Sequence, residues 1–248
     1  MEQKTNPFKW ITLGYIFLFI ISLYLLLQFL FTAFFVFIYE VKVNHVDKVK
    51  LKGYQLELDE MRMNIWQLPE FYIAVILSSL IVIVLVYMIL KRQKNANPSK
   101  YLGLTTIKKK NRVWLSYSLI FGFICYSFWY LTGSSNGLIR IPESNLELIL
   151  SLIGATLFAP FAEEVIFRGY LLTKMNELLD EELSWISILV TSMLFALIHF
   201  QFSFTNLIFL FVVGVFLAIM KLRTKNLWFP ILFHSTGNLV TLVLYYFL

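Results

Sequence analysis

Acidic, basic, imidazole and amide side chains interrupt the apolar C-terminal half of this chain at helical spacings: Glu163, Glu164 and Arg168, then Phe195 and His199, then His234 and Asn238. A charge at the centre of a bilayer costs about 2.5–3.5 kcal/mol on insertion scales, so such residues mark chemistry or a transport path. Glu164 and Arg168 stand at i and i+4 with the acid first, the favourable order for an ion pair. Glu163 points about 100° away on the same helix and has no partner there. Phe195 shares a face with His199, and His234 shares one with Asn238. Buried polar groups must find partners, and the simplest partners for His234 and Asn238 are Glu163 and His199.

One carboxylate and two imidazoles in a dry cavity form a tool kit with two uses. They can hold a divalent metal with an open position, or the carboxylate can act as general base on a water that the histidines orient. Asn238, with one histidine, can donate to the oxyanion of a tetrahedral intermediate. Amide hydrolysis needs a base, a water and an oxyanion donor. The spacings do not decide which amide is cut.

The elements that must position these groups are helices. Of 248 residues 59% are hydrophobic and 15% charged, well above the apolar share of a soluble domain. Uncharged runs cover Trp10–Tyr39, Phe71–Leu90, Val113–Ile139, Leu148–Ala162, Leu183–Met220 and Asn226–Leu248, and a crossing helix needs about 20 residues. The run from Leu183 is long enough for two spans, with a polar break at Gln201–Asn206. The expected fold is all-α: a polytopic transmembrane helical bundle of seven helices, eight if the fourth breaks. From the inner side His234 stands about seven residues in and His199 about fourteen, about 10 and 21 Å of helix. They meet Glu163 at one depth only if its helix continues past Arg168 toward Leu179 and the spans tilt.

Charge orients the bundle. With a cytoplasmic N-terminus, the inner segments hold 15 of the 21 Lys and Arg, as the positive-inside rule requires. The first apolar run is too long for a secretory signal core and no A-x-A-like site follows, so it reads as a retained anchor. The net charge of +6 suits a surface facing anionic lipid and needs no nucleic-acid partner. Residues 48–59 alternate about Gly53 as a short external hairpin, and His45 at its start reads as an ordinary loop residue. Residues 91–112, with Asn95-Ala-Asn-Pro98 and Lys108-Lys-Lys110, read as a solvated basic linker. They divide a two-helix N-terminal region, 1–112, from a helical core, 113–248, that holds every candidate residue. The single cysteine, Cys125, excludes an internal disulfide or a Cys-based zinc site and reads as a packed core residue. No repeat, phosphate loop or two-histidine metal motif occurs.

The order EExxxR, FxxxH and HxxxN, here Glu163-Glu164-Val-Ile-Phe-Arg168, Phe195 to His199 and His234 to Asn238, resembles the CPBP (Abi, or type II CAAX prenyl endopeptidase) family of intramembrane proteases. Pro160, Gly169, Gly214 and Trp228-x-Pro230 fall where that family has them. The resemblance covers residues 148–248 and implies a multi-pass membrane endopeptidase, metallo- or glutamate-dependent, with a cavity open to the cytoplasm. By it, Glu163 activates water, His199 assists in binding water or metal, and His234 with Asn238 stabilises the oxyanion. The implied catalytic set is Glu163, Glu164, His199, His234 and Asn238, supported by Arg168 and Phe195. Glu163, His199 and His234 are the ligands if Zn2+ is bound, and no organic cofactor is implied. The expected partners are membrane lipid and a peptide or protein substrate, membrane-associated or lipidated. The compact chain looks like a bacterial member in the cytoplasmic membrane.

Two readings compete with catalysis. One is a non-catalytic membrane immunity or interaction protein that retains the scaffold. The other is a transporter using Glu163 as a proton site, against which stands the lack of an inverted repeat.

Overall fold

The computed structural model describes residues 7–44, 69–92, 97–131, 144–200 and 202–247. His45 and the hairpin at 48–59 lie outside them. The described residues form eight helices and no strand: α1 (Pro7–Asn44), α2 (Pro69–Arg92), the short α3 (Pro98–Leu102), α4 (Arg112–Leu131), α5 (Asn145–Leu178), α6 (Ser184–Leu197), α7 (Phe204–Thr224) and α8 (Trp228–Phe247). Four of them contain segments long and apolar enough to cross a membrane: Lys9–Phe34, Glu70–Arg92, Asn145–Leu178 and Phe204–Thr224. The protein is an integral membrane helical bundle.

The fourth helix does not break. α5 runs unbroken to Leu178, though it widens to π-helical winding at Gly154–Phe158 and again at Val165–Leu171. Pro160 explains the first widening, because its ring clashes with the carbonyl four residues back and it has no N–H to give. α6 departs from the expectation of a full span. Its 14 residues make about 21 Å of helix, short of the about 30 Å of hydrocarbon. The chain turns at Ile198–Ser203 instead of at Gln201–Asn206, and Ser203 caps α7 by accepting from the Asn206 N–H.

One apolar core crosses the bundle. Phe17, Ile20 and Tyr24 of α1 meet Val82, Val86 and Leu90 of α2, and both helices pack on Val165, Ile166 and Phe167 of α5 and Phe195 of α6. A second cluster joins α4, α7 and α8 through Tyr126, Leu217, Phe229 and Phe233.

The segment expected to be a solvated linker is docked from Asn97 onward. α3 is capped by Asn97, whose side chain accepts from the Lys100 N–H, with Pro98 at its first turn and Gly103 closing it at φ +81°. Leu102 enters the core. The buried Lys221 ammonium donates to Leu102 O at 2.7 Å, Asn226 Nδ2 to Thr105 O at 2.8 Å, and Leu227 N to Gly103 O at 2.9 Å. The linker thus clasps the α7–α8 turn. A Cβ at position 103 would lie 2.2 Å from Lys221 Nζ, so the close approach and the left-handed backbone both require glycine.

Candidate active site

Four helices converge on the glutamate pair. α5 carries Glu163, Glu164 and Arg168, all buried. Arg168 is fully enclosed, with Nε left without a hydrogen-bond partner among the described residues. Nη1 pairs with Glu164 Oε1 at 3.0 Å and Nη2 donates to Gly214 O of α7 at 3.2 Å. The guanidinium also lies over the Phe195 ring of α6, 4.3 Å from its centroid. This arginine ties three helices together by charge, hydrogen bond and cation–π contact.

Glu164 spends the same oxygen twice. Oε1 also accepts from His234 Nδ1 of α8 at 3.1 Å. A carboxylate paired with arginine can only accept, so Nδ1 carries the hydrogen, and the tautomer this selects has a bare Nε2. The same reasoning applies to His199, whose Nδ1 lies 2.8 Å from Phe195 O. A carbonyl oxygen only accepts, so this imidazole too presents a bare Nε2. Such outer hydrogen bonds fix the tautomer and aim of working histidines.

Both bare nitrogens face Glu163. Its Oε2 is 3.9 Å from His199 Nε2 and 3.9 Å from His234 Nε2, and it is buried with no hydrogen-bond partner among the described residues. Three acceptors therefore surround one spot. Phe195 holds the rings around it, edge-on to His199 at 5.0 Å and to His234 at 5.7 Å.

The donor chemistry is that of a metal site, but the spacing is not. Two ligands of a tetrahedral zinc with bonds of about 2.0–2.2 Å stand roughly 3.3–3.6 Å apart, less than the 3.9 Å here. No group of three His, Cys, Asp or Glu among the described residues is placed to hold a metal ion. A water suits the gap, since acceptors 3.9 Å apart are bridged by hydrogen bonds of about 2.8 Å meeting at roughly 90°.

Asn238 is one turn past His234 on α8 but does not bond to either histidine or glutamate. Its Nδ2 donates to Ala155 O at 2.8 Å, in the first π-helical stretch of α5. One of its two amide N–H groups is thus committed to α5. The HxxxN spacing predicts a shared helix face, but a backbone carbonyl exposed by π winding leaves no pattern in the sequence beyond Pro160 itself. Gly237 also went unread. A Cβ there would fall 2.1–2.5 Å from atoms of the Tyr126 ring, so this glycine lets α4 bring Tyr126 against the helix that carries His234 and Asn238.

Residues 145–240, from the first residue of α5 into α8, match the family model described as Type II CAAX prenyl endopeptidase Rce1-like. This match supports the CPBP resemblance and contains Glu163, Glu164, Arg168, Phe195, His199, His234 and Asn238. Over 98 residues the chain is 31% identical to an Escherichia coli protein described as an uncharacterized 24.3 kDa protein, a stretch covering 39% of this chain and 45% of that one. The chain therefore spans less than half the length of the curated relative it matches. No solved structure matches it.

Proposed function

We propose that the protein is an intramembrane endopeptidase in which Glu163 acts as general base on a water. The carrying observation is the unpartnered Glu163 Oε2, 3.9 Å from each of two imidazole nitrogens, both of which the tautomer argument leaves as acceptors. A water at that spot donates to two of the three acceptors and keeps a lone pair for attack. On attack Glu163 takes the water proton, a C–O bond forms and the carbonyl oxygen becomes an oxyanion. The second amide N–H of Asn238 donates to it. Glu163 then returns the proton to the amide nitrogen as the oxyanion re-forms the carbonyl and the C–N bond breaks, giving a carboxylic acid and an amine, between which the second water proton then passes.

His234 serves differently from the expectation drawn from the family. In the tautomer that Glu164 selects, its bare Nε2 accepts from the water and has nothing to give the oxyanion. It could donate there only as imidazolium, a form that Glu164 at 3.1 Å would stabilise as the triad carboxylate does. No step runs through a metal, because the three donors stand too far apart to share one. The match to a prenyl endopeptidase family and the apolar surroundings support a peptide or protein substrate at the membrane, with a lipidated C-terminus among the candidates.

The reading is tested with purified protein in liposomes and a quenched fluorescent peptide panel that includes prenylated C-terminal peptides. Substrates are also sought by comparing peptide termini in membranes of cells making wild type or Glu163→Gln. Glu163→Gln and His199→Ala are expected to abolish cleavage at unchanged protein level, and chelator treatment to leave it intact. Wild-type rates in either variant would end the catalytic assignment, and loss on chelation reversed by Zn2+ would replace the metal-free route.

A further inference from the structure

Of the three groups around the water spot, His199 is the least secured. Glu163 is carried mid-helix, and His234 is held by a charged partner. His199 lies beyond the last residue of α6, in a turn closed by its N–H to Ala196 O at 3.0 Å. Its ring is anchored by one neutral hydrogen bond, to Phe195 O. Its side chain is 17% exposed, against 11% for Glu163 and 6% for His234. A single contact at Nδ1 lets the ring pivot, and pivoting moves Nε2 off Glu163.

The turn supplies a second contact. Phe202 N donates to His199 O at 3.0 Å, which folds the chain back. The Phe202 ring then lies nearly parallel to the imidazole, 17° between planes and 5.8 Å between centroids, an offset stack. Phe200 and Phe204 on either side turn outward, 68% and 77% exposed, whereas Phe202 is half-buried. Outward aromatics in a membrane protein need no explanation beyond lipid. An aromatic turned inward from the same short stretch, onto the imidazole face, does.

We propose that Phe202 is a positioning residue for His199: its ring stacks on the imidazole, holds Nε2 aimed at Glu163 and covers the more open face of the ring. With Phe195 edge-on at 5.0 Å, the imidazole is flanked by aromatics contributed by the end of α6 and by the turn that follows it. The inference rests on the catalytic reading of His199 for its effect on rate, but not for the contact itself.

The test therefore has two arms. Diethyl pyrocarbonate carbethoxylates accessible imidazole nitrogens, and mass spectrometry of the His199 peptide reads the rate at that residue, with buried His234 as internal reference. Phe202→Ala is expected to raise His199 modification several-fold, and to lower kcat roughly two- to tenfold, the population effect of one aromatic pair. KM and the unfolding midpoint should stay at wild-type values. Phe202→Tyr should restore both readouts, whereas Phe202→Leu, which fills space without a ring, should restore neither fully. Unchanged modification in Phe202→Ala, or Leu performing as well as Tyr, would overturn the proposal. Faster modification with unchanged kcat would uphold the contact and instead sink the catalytic role of His199.

Discussion

Arg168→Ala is the substitution whose cost the structure fixes best. It removes the guanidinium paired with Glu164, whose own side chain has no exposure. It also leaves Gly214 O without the Nη2 donor at 3.2 Å and strips the cation from the face of Phe195. Breaking a buried pair by deleting one partner costs about 3–5 kcal/mol, because a charge is stranded. For a chain of this size each kcal/mol moves the midpoint by about 2–4 °C, so the expected fall is roughly 6–20 °C. Thermal unfolding in detergent measures it. Two companions separate the charge from the packing. Glu164→Gln combined with Arg168→Ala should cost less than the sum of the single changes, since no charge is then stranded. Arg168→Lys should fall between, because a single ammonium cannot reproduce the fork that reaches both Glu164 and Gly214. Activity should be lost well below the midpoint too, as an unpaired Glu164 no longer presents His234 in one fixed state. A wild-type midpoint for Arg168→Ala, or an additive double mutant, would refute the claim that this pair holds the site.

Asn238→Ala should lower kcat by about 10²–10³ while KM changes little, as expected for one lost oxyanion donor; steady-state cleavage of a reconstituted sample measures it, and an unchanged kcat removes Asn238 from the chemistry. Gly237→Ala should destabilise by about 1–3 kcal/mol through overpacking against the Tyr126 ring, with Tyr126→Ala restoring part of the loss; an unshifted midpoint in the single variant would mean that α4 does not press on α8 there. In a Cys125→Ala background, Lys100→Cys should resist a membrane-impermeant maleimide on intact cells and Gln55→Cys should react, as the distribution of basic residues requires; the opposite pattern inverts the side from which substrate enters.

What the sequence discloses about this site follows the range of the interactions. The Glu164–Arg168 pair lies within one helical turn, so spacing alone predicts it, and the pair forms at 3.0 Å. The isolation of Glu163 is legible for the same reason: no group on its own helix could satisfy it. The continuation of α5 to Leu178 is legible too, because histidines at different distances from their helix ends meet one glutamate only if its helix runs on and the spans tilt. Interactions that end on backbone carbonyls are different. Ala155 O, Phe195 O, Gly214 O and Leu102 O accept from Asn238, His199, Arg168 and Lys221, and a carbonyl has the same letter-free identity at every position. The docking of residues 97–105 was hidden for this reason, since its basic residues read as solvated while its bonds run to main-chain atoms.

The tautomers show how those unreadable contacts determine the chemistry. Two histidines and a glutamate in a sequence allow metal ligation, general base catalysis or oxyanion donation, and residue type does not choose among them. The choice is made one bond further out, at Phe195 O and Glu164 Oε1, each of which accepts a hydrogen bond from Nδ1–H and so leaves Nε2 bare. At Nδ1 His199 meets a neutral acceptor and His234 a charged one, so of the two only the His234 ring is hydrogen-bonded to a carboxylate. On the proposed route the glutamate doublet divides its work: Glu164, paired with Arg168, selects the tautomer of a histidine, and Glu163, with Oε2 3.9 Å from two nitrogens, takes the proton. A site with both glutamates paired would be more stable and would have no base.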